Sequence, residues 1–273
     1  MTTRTLRMRK GTLKRKLKEQ ALASRKGIHL RWLHTRDMPG SGIKTRLACT
    51  KATLGELHLM SEAEHAEFLE GWYRKDVRII YDQVALDREK TQLAAASINV
   101  PHPTYPHLRE PAVLSTDLVY VKELGTSRGR EARSVKSIGG GRQDSLTRSQ
   151  LIEQKTWLDD GVSFSVVRAN GMHAHRSKNL AWIFRAHNNT IGRNLSDTEA
   201  AAQRNILRFL GTRKEMRLID ACRDVDKTFG LPPGSGVLAF RQLAGARKLA
   251  FDLNVSNPLN LMLYEIWRAN LSE

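Results

Sequence analysis

The chain has 273 residues, 45 Lys and Arg against 28 Asp and Glu, and a formal net charge of +17. Hydrophobic residues make up 40% and aromatic residues only 6%. That is enough apolar material for a core, which excludes wholesale disorder, and too few rings for a binder that stacks single-stranded bases in the usual way. A surplus of this sign points to a polyanionic partner, with the duplex backbone favoured.

No uncharged apolar run approaches the roughly 18 residues of a membrane helix, so no membrane role is expected. The N-terminal stretch lacks the apolar segment of a secretory signal. The two cysteines, Cys49 and Cys222, lie far apart without CxxC spacing. A structural zinc and a disulfide scaffold are both poorly supported, and a reducing, cytoplasmic compartment fits.

In chain order, residues 1–31 read as a basic arm. Arg7, Arg9, Lys10, Lys14, Arg15 and Lys16 are candidate phosphate contacts, either on a solvated tail or on a helix that folds on DNA. Turn formers follow from Trp32 to Gly55, around a hairpin of Ile43 to Ala48 and Glu56 to Met60. Ser61 with Glu64 three residues on is a capping-box signature, and it opens a helix to about Tyr73. On that helix Glu62 and Glu67 read as solvated. Val77 to Leu86 is a strand, residues 87–97 a helix, and the Pro-rich stretch 101–106 a loop.

Ala112 to Val121 and Glu131 to Ile138 are two further strands, joined by a polar turn at Leu124 to Gly129. The run Gly139 to Gly141 reads as flexible. Thr147 to Asp159 is a helix, with Trp157 assigned to the core, and Val162 to Arg168 is a strand. The order is mixed α/β. His173 and His175 form an H-x-H with no third ligand in view, and they are expected on a loop. Three helices at Asp197 to Leu210, Glu215 to Phe229 and Gly236 to Ala246, with a small wing at 245–255, suggest a winged-helix-like module. The expected domains are therefore 32–175 and 176–273, after the arm.

Chemistry is concentrated in Glu64, Asp117 and Lys136. Asp117 lies among apolar neighbours on its strand, so it needs a partner or a cation. Lys136 lies on the next strand, and antiparallel pairing can bring the two together, with Glu64 approaching from the preceding helix. Carboxylate oxygens suit Mg²⁺, which activates water and neutralises phosphodiester charge, while a lysine can orient the water. The plainer alternative is an Asp117–Lys136 salt bridge. By charge, Arg128, Arg130, Arg133, Arg142 and Arg148 are further candidate DNA contacts.

Six segments together carry a more specific signal. They are Trp32 to Gly42 (WLHTRDMPGSG), Leu59 to Leu69 (LMSEAEHAEFL), Tyr81 to Leu86 (YDQVAL), Ser115 to Val119 (STDLV), Ser134 to Lys136 (SVK) and Ile152 to Trp157 (IEQKTW). With the element order they resemble the PD-(D/E)XK nuclease core, and more narrowly the TnsA-type endonuclease family of heteromeric cut-and-paste transposases. The resemblance implies a restriction-endonuclease-like mixed sheet followed by a small helical C-terminal domain.

It also implies roles. Glu64 and Asp117 would be metal ligands, joined by the Val135 carbonyl and by Ser134, which stands where the family motif has an acid or amide. Lys136 would be the family's lysine, and Gln83 and Glu153 would lie near the site. It implies Mg²⁺ with Mn²⁺ as substitute, and double-stranded transposon ends as substrate. The implied partners are a DDE-type transposase (TnsB) and an AAA+ regulator (TnsC), at the prokaryotic nucleoid. The competing reading is a DNA-binding architectural subunit whose metal site is weakened at Ser134.

Overall fold

The structure, a computed structural model, describes residues 8–37, 43–136, 145–169 and 172–269. The chain divides into two units, Met1–Gly171 and Met172–Glu273.

In the first unit the arm contains helix α1 (Lys10–Arg25). Met8 and Leu13 are buried with Trp32, Tyr105 and Val113, and Leu17 packs against the same cluster. The helix is therefore docked by its apolar spacing of four, without any nucleic acid. An antiparallel hairpin follows, β1 (Thr45–Ala48) with β2 (Glu56–Leu59). Helix α2 (Glu62–Tyr73) starts at the Ser61 cap, where the Glu64 amide donates to Ser61 Oγ at 3.1 Å. The expected box closes differently. Glu64 Oε2 accepts from the amide of Met60, one residue before the cap, at 2.9 Å.

Then come β3 (Val77–Ala85) and α3 (Arg88–Ser97), capped by Asp87. The expected Pro-rich loop contains a small ribbon, β4 (Thr104–Tyr105) with β5 (Glu110–Pro111). Strands β6 (Ser115–Leu124) and β7 (Ser127–Lys136) pair around Gly125, whose φ of +58° suits the tight turn. Helix α4 (Arg148–Asp159) begins in a capping box between Thr147 and Gln150, and β8 (Ser163–Arg168) completes the unit. The four-stranded sheet runs β3-β6-β7-β8, antiparallel except for β7 with β8.

The pleat separates two faces. Val119 and Ala132 are buried with Ala94, Ala95, Ile152 and Trp157, which places α3 and α4 on one face. Tyr120, the next residue of β6, meets α2 on the other. Its hydroxyl donates to the Glu67 carbonyl at 2.9 Å and to Glu67 Oε1 at 3.0 Å. Glu67 is thus buried, not solvated as its sequence suggested. A Cβ on Gly71 would lie 2.5 Å from the Tyr120 ring, so this crossing needs a glycine.

The second unit holds α5 (Ala174–Asn188), α6 (Asp197–Thr212), α7 (Leu218–Thr228) and α8 (Ser235–Gly245). Helix α5 was not expected. His173 is its N-cap, accepting from the Arg176 amide at 3.3 Å, so His173 and His175 begin a helix and are not on a loop. The other three helices pack against α8, which carries buried Ala239, Phe240, Leu243 and Ala244. The expected wing is a ribbon of β9 (Leu249–Ala250) with β10 (Trp267–Arg268), whose second strand comes from later in the chain than predicted. No helix among the described residues is long and apolar enough to cross a membrane. Cys49 and Cys222 are free and buried.

Candidate active site

The site lies where the two central strands part. The β6–β7 ladder ends at Leu118 opposite Arg133. Below that pair β6 continues against β3, and β7 continues against β8 as far as Lys136. Asp117 fills the fork. Its Oδ2 accepts from the amide of Val135, across the gap, at 2.6 Å. A carboxylate thus satisfies a backbone donor that strand pairing no longer serves.

Gln83 faces Asp117 from β3. Its neighbours Asp82 and Val84 pair with Leu118 and Thr116, but Gln83 has a φ of +47°, and its carbonyl accepts from the Trp32 amide at 2.9 Å. A left-handed, non-glycine residue inside a strand is a strained feature of the kind that gathers at functional sites. The turn aims a fully buried amide into the fork. Nε2 donates to Glu64 Oε2 at 3.2 Å and to Asp117 Oδ1 at 3.5 Å.

Glu64 arrives from the first turn of α2. Burial, then the charge of Asp117, push its carboxyl up to about 8. Asp117 is partly open to solvent, and burial raises it too, against the Val135 amide, Lys136, Gln83 and Ser134. Glu153 lies behind them on α4, buried, with its Oε2 accepting from Thr116 Oγ1 at 3.2 Å. The Trp157 indole donates to the same hydroxyl at 2.8 Å. Burial and the Asp117 charge push Glu153 up to about 8, and Lys136 opposes this. Lys136 is exposed at the strand end.

Every candidate chemical residue therefore comes to one end of the sheet: Glu64, Gln83, Asp117, Ser134, Val135, Lys136 and Glu153. The donors are all oxygens, which suits a hard divalent cation. Two carboxylates converging on one N–H, both held towards their neutral forms, are what such a cation would relieve. Among the described residues no group of three or more His, Cys, Asp or Glu is arranged to hold a metal ion. The set here is instead two carboxylates with a hydroxyl, an amide and a main-chain carbonyl.

One structural hub escaped the sequence reading. Asp82, next to Gln83, is buried and accepts from Arg31 Nε at 2.5 Å and from the His58 amide at 2.6 Å, with His29 Nε2 at 3.6 Å. Burial would raise its carboxyl, but the nearness of His29 and the bond and charge of Arg31 outweigh it and hold the group low. Asp82 ties β2 and the segment before it to β3, which fixes Gln83 from behind. The only sequence signal was an acid on a largely apolar strand.

Known proteins resemble the chain in both units. Residues 173–253 match the family model described as TnsA endonuclease C terminal. Over 245 residues the chain is 23% identical to the Transposon Tn7 transposition protein TnsA of Escherichia coli, covering 89% of this chain and 82% of that protein. The second unit is thus similar to the C-terminal part of TnsA endonucleases, and the chain as a whole is similar to a TnsA transposition protein. The family model matches the second unit, so the catalytic assignment rests on the geometry of the first and on the wider resemblance.

The predicted DNA contacts divide three ways. Arg9, Lys10, Lys14, Arg15, Arg130 and Arg148 are exposed. Arg15 lies 3.9 Å from Glu19, and Arg130 sits over the Trp157 ring at 6.0 Å. Two are corrected. Lys16 Nζ donates to the Trp32 carbonyl at 2.5 Å, and its side chain is 16% exposed, so it fastens α1 to the unit. Arg133 is held by Glu131, by Ser165 Oγ at 2.7 Å and by Glu67 at 3.8 Å. Arg128 is bonded to Glu123 at 2.9 Å. Arg7 and Arg142 lie outside the described residues, as does the Gly139 to Gly141 run.

Proposed function

We propose that the chain is the subunit that hydrolyses the 5′ strands at transposon ends, using Mg²⁺ or, in its place, Mn²⁺. The observation that carries this is the convergence of Glu64 and Asp117 on Gln83 in the strand fork, with Lys136 exposed at its rim. Glu64 and Asp117 would hold the cation, with the Val135 carbonyl and the Ser134 hydroxyl beside them. When bound, the cation would lower the pKa of a water and neutralise charge on the phosphodiester. Asp117 is fixed by the Val135 amide and Glu64 by the Met60 amide, so neither carboxylate must reorganise as the substrate arrives. Lys136 would orient the water and stabilise the crowded phosphate. Burial and the Asp117 charge push Glu153 behind it towards its neutral form.

By resemblance, a DDE-type transposase (TnsB) would cut and join the 3′ ends and supply sequence choice, and an AAA+ regulator (TnsC) would govern assembly. The work would be done at the cytoplasmic nucleoid. The test is 5′-strand nicking of a transposon-end duplex with Mg²⁺ and the partner transposase, beside Asp117→Ala and Lys136→Ala. Nicking by wild type alone, with DNA binding kept in both variants, is the expected outcome. No nicking by wild type, while the partner cuts 3′ ends in the same tube, moves the assignment to the architectural alternative.

A further inference from the structure

The donor set around the fork is short. Mg²⁺ and Mn²⁺ favour about six oxygen ligands, and two carboxylates and a carbonyl leave the rest to water or to neutral side chains. Ser134 offers a hydroxyl on a short stem. Gln83 offers more. Its amide is 2% exposed, its backbone takes the uncommon left-handed turn, and its terminal nitrogen touches both carboxylates at once. That nitrogen carries positively polarised hydrogens, so it cannot remain in place when a cation enters. The same amide carries an acceptor oxygen on its other arm, and half a turn about the last side-chain bond exchanges them without moving the backbone.

We propose that Gln83 is a switchable ligand: Nε2 bridges Glu64 and Asp117 in the empty site, and Oε1 replaces it on the cation in the loaded one. This rests on the cation reading of the site given above and adds a residue to it. Sharing one donor keeps the two acids close to each other. The cation then meets a third protein oxygen already delivered by β3. The strain at Gln83 serves that delivery, since an ordinary strand conformation would place its peptide in the β6 ladder.

The test is direct binding of Mn²⁺ to the full chain, read from the paramagnetic resonance of the free ion, so activity is not needed. Wild type should bind and Asp117→Ala should not. Gln83→Leu should weaken Mn²⁺ roughly tenfold, within the range seen when groups supporting a metal site are removed, and Gln83→Glu should bind more tightly than wild type. Ser134→Gln in the Gln83→Leu background should recover most of the loss, because it returns a neutral oxygen donor from β7, on the other side of Asp117.

Unchanged affinity in Gln83→Leu overturns the proposal. So does a loss that Ser134→Gln fails to repair while Gln83→Glu gives no gain, since Gln83 then acts only by holding the carboxylates. No binding by wild type at millimolar Mn²⁺ overturns the cation reading, and the ligand role with it. The isosteric Gln83→Glu variant keeps the test decisive should Gln83→Leu fold poorly.

Discussion

Gly71→Ala is a sharp probe of how α2 is seated, because the added methyl has nowhere to go. The new Cβ would lie 2.5, 2.6 and 2.8 Å from Cζ, Cε1 and the hydroxyl of Tyr120. Ordinary contact begins near 3.4 Å, so helix and ring must separate by about 0.9 Å. Tyr120 is fully buried, and its hydroxyl holds both the carbonyl and the carboxylate of Glu67. Moving the ring loosens both bonds, each worth about 1 kcal/mol, on top of an overpacking cost of ~1–3 kcal/mol. Alanine returns about 1 kcal/mol through helix propensity. The expected net loss is ~2 kcal/mol, read as a lower urea midpoint for the first unit. In a Tyr120→Leu background the ring is gone, and the same substitution should be neutral or stabilising. That reversal is the coupling a double-mutant cycle isolates. Equal cost in both backgrounds would refute the seating argument. Glu64 lies two turns earlier on the helix face that carries Gly71, so Gly71→Ala should also depress Mn²⁺ affinity.

Two further outcomes are expected. Glu64 and Glu153 both have carboxyls raised to about 8 in the folded chain. The stability they contribute by staying protonated is full below the ordinary carboxylate range and is lost as pH rises through about 8. In chelator the first unit should weaken between roughly pH 5 and 8, by at most about 1.4 kcal/mol per pH unit for each group, and Glu153→Gln should flatten that slope; parallel urea-midpoint curves for the two proteins would count against the buried-acid account. In the second unit Asp226 accepts from the Gly234 and Gly236 amides at 2.7 Å each and so caps α8; Asp226→Ala should lower that unit's thermal midpoint by an amount matching ~1–2 kcal/mol, with Mn²⁺ binding unchanged.

What could be read from the sequence followed locality. Ser61 with Glu64 marked the start of α2, and Asp117 among apolar neighbours marked an acid that needed company. What could not be read depended on distant partners. Glu67 sits three residues after Glu64 and looked solvated, because its partner Tyr120 lies 53 residues away. The reversal of the Gln83 peptide has no local signal, since it arises from Trp32 taking its carbonyl and Asp82 being held by Arg31 and His58. Helix α5 was missed although Leu180, Ile183 and Phe184 have helical spacing. The change in texture after residue 175 made the start of the segment read as a boundary.

The positive charge is the feature most easily over-read. The surplus of +17 suggests a wide DNA interface; ion pairs inside the fold leave that net charge unchanged, yet they decide which cations are free to face outward. Arg31 holds Asp82, Arg74 bridges Asp76 and Glu131, Lys16 fastens α1, and Arg133 joins Glu131 to Ser165. Of the predicted contacts, seven remain exposed among the described residues: Arg9, Lys10, Lys14, Arg15, Arg128, Arg130 and Arg148. If each meets one phosphate, the logarithm of the binding constant should fall with the logarithm of salt at a slope of about −6, far shallower than the net charge would suggest. Arg130→Ala should reduce that slope by about one and leave stability alone. Lys16→Ala should lower stability and leave the slope unchanged, because its charge is already satisfied by Trp32 and Asp37. A Lys16→Ala slope that falls as Arg130→Ala does would show that burial does not separate the two roles, and that α1 opens to deliver its inner cations to the duplex.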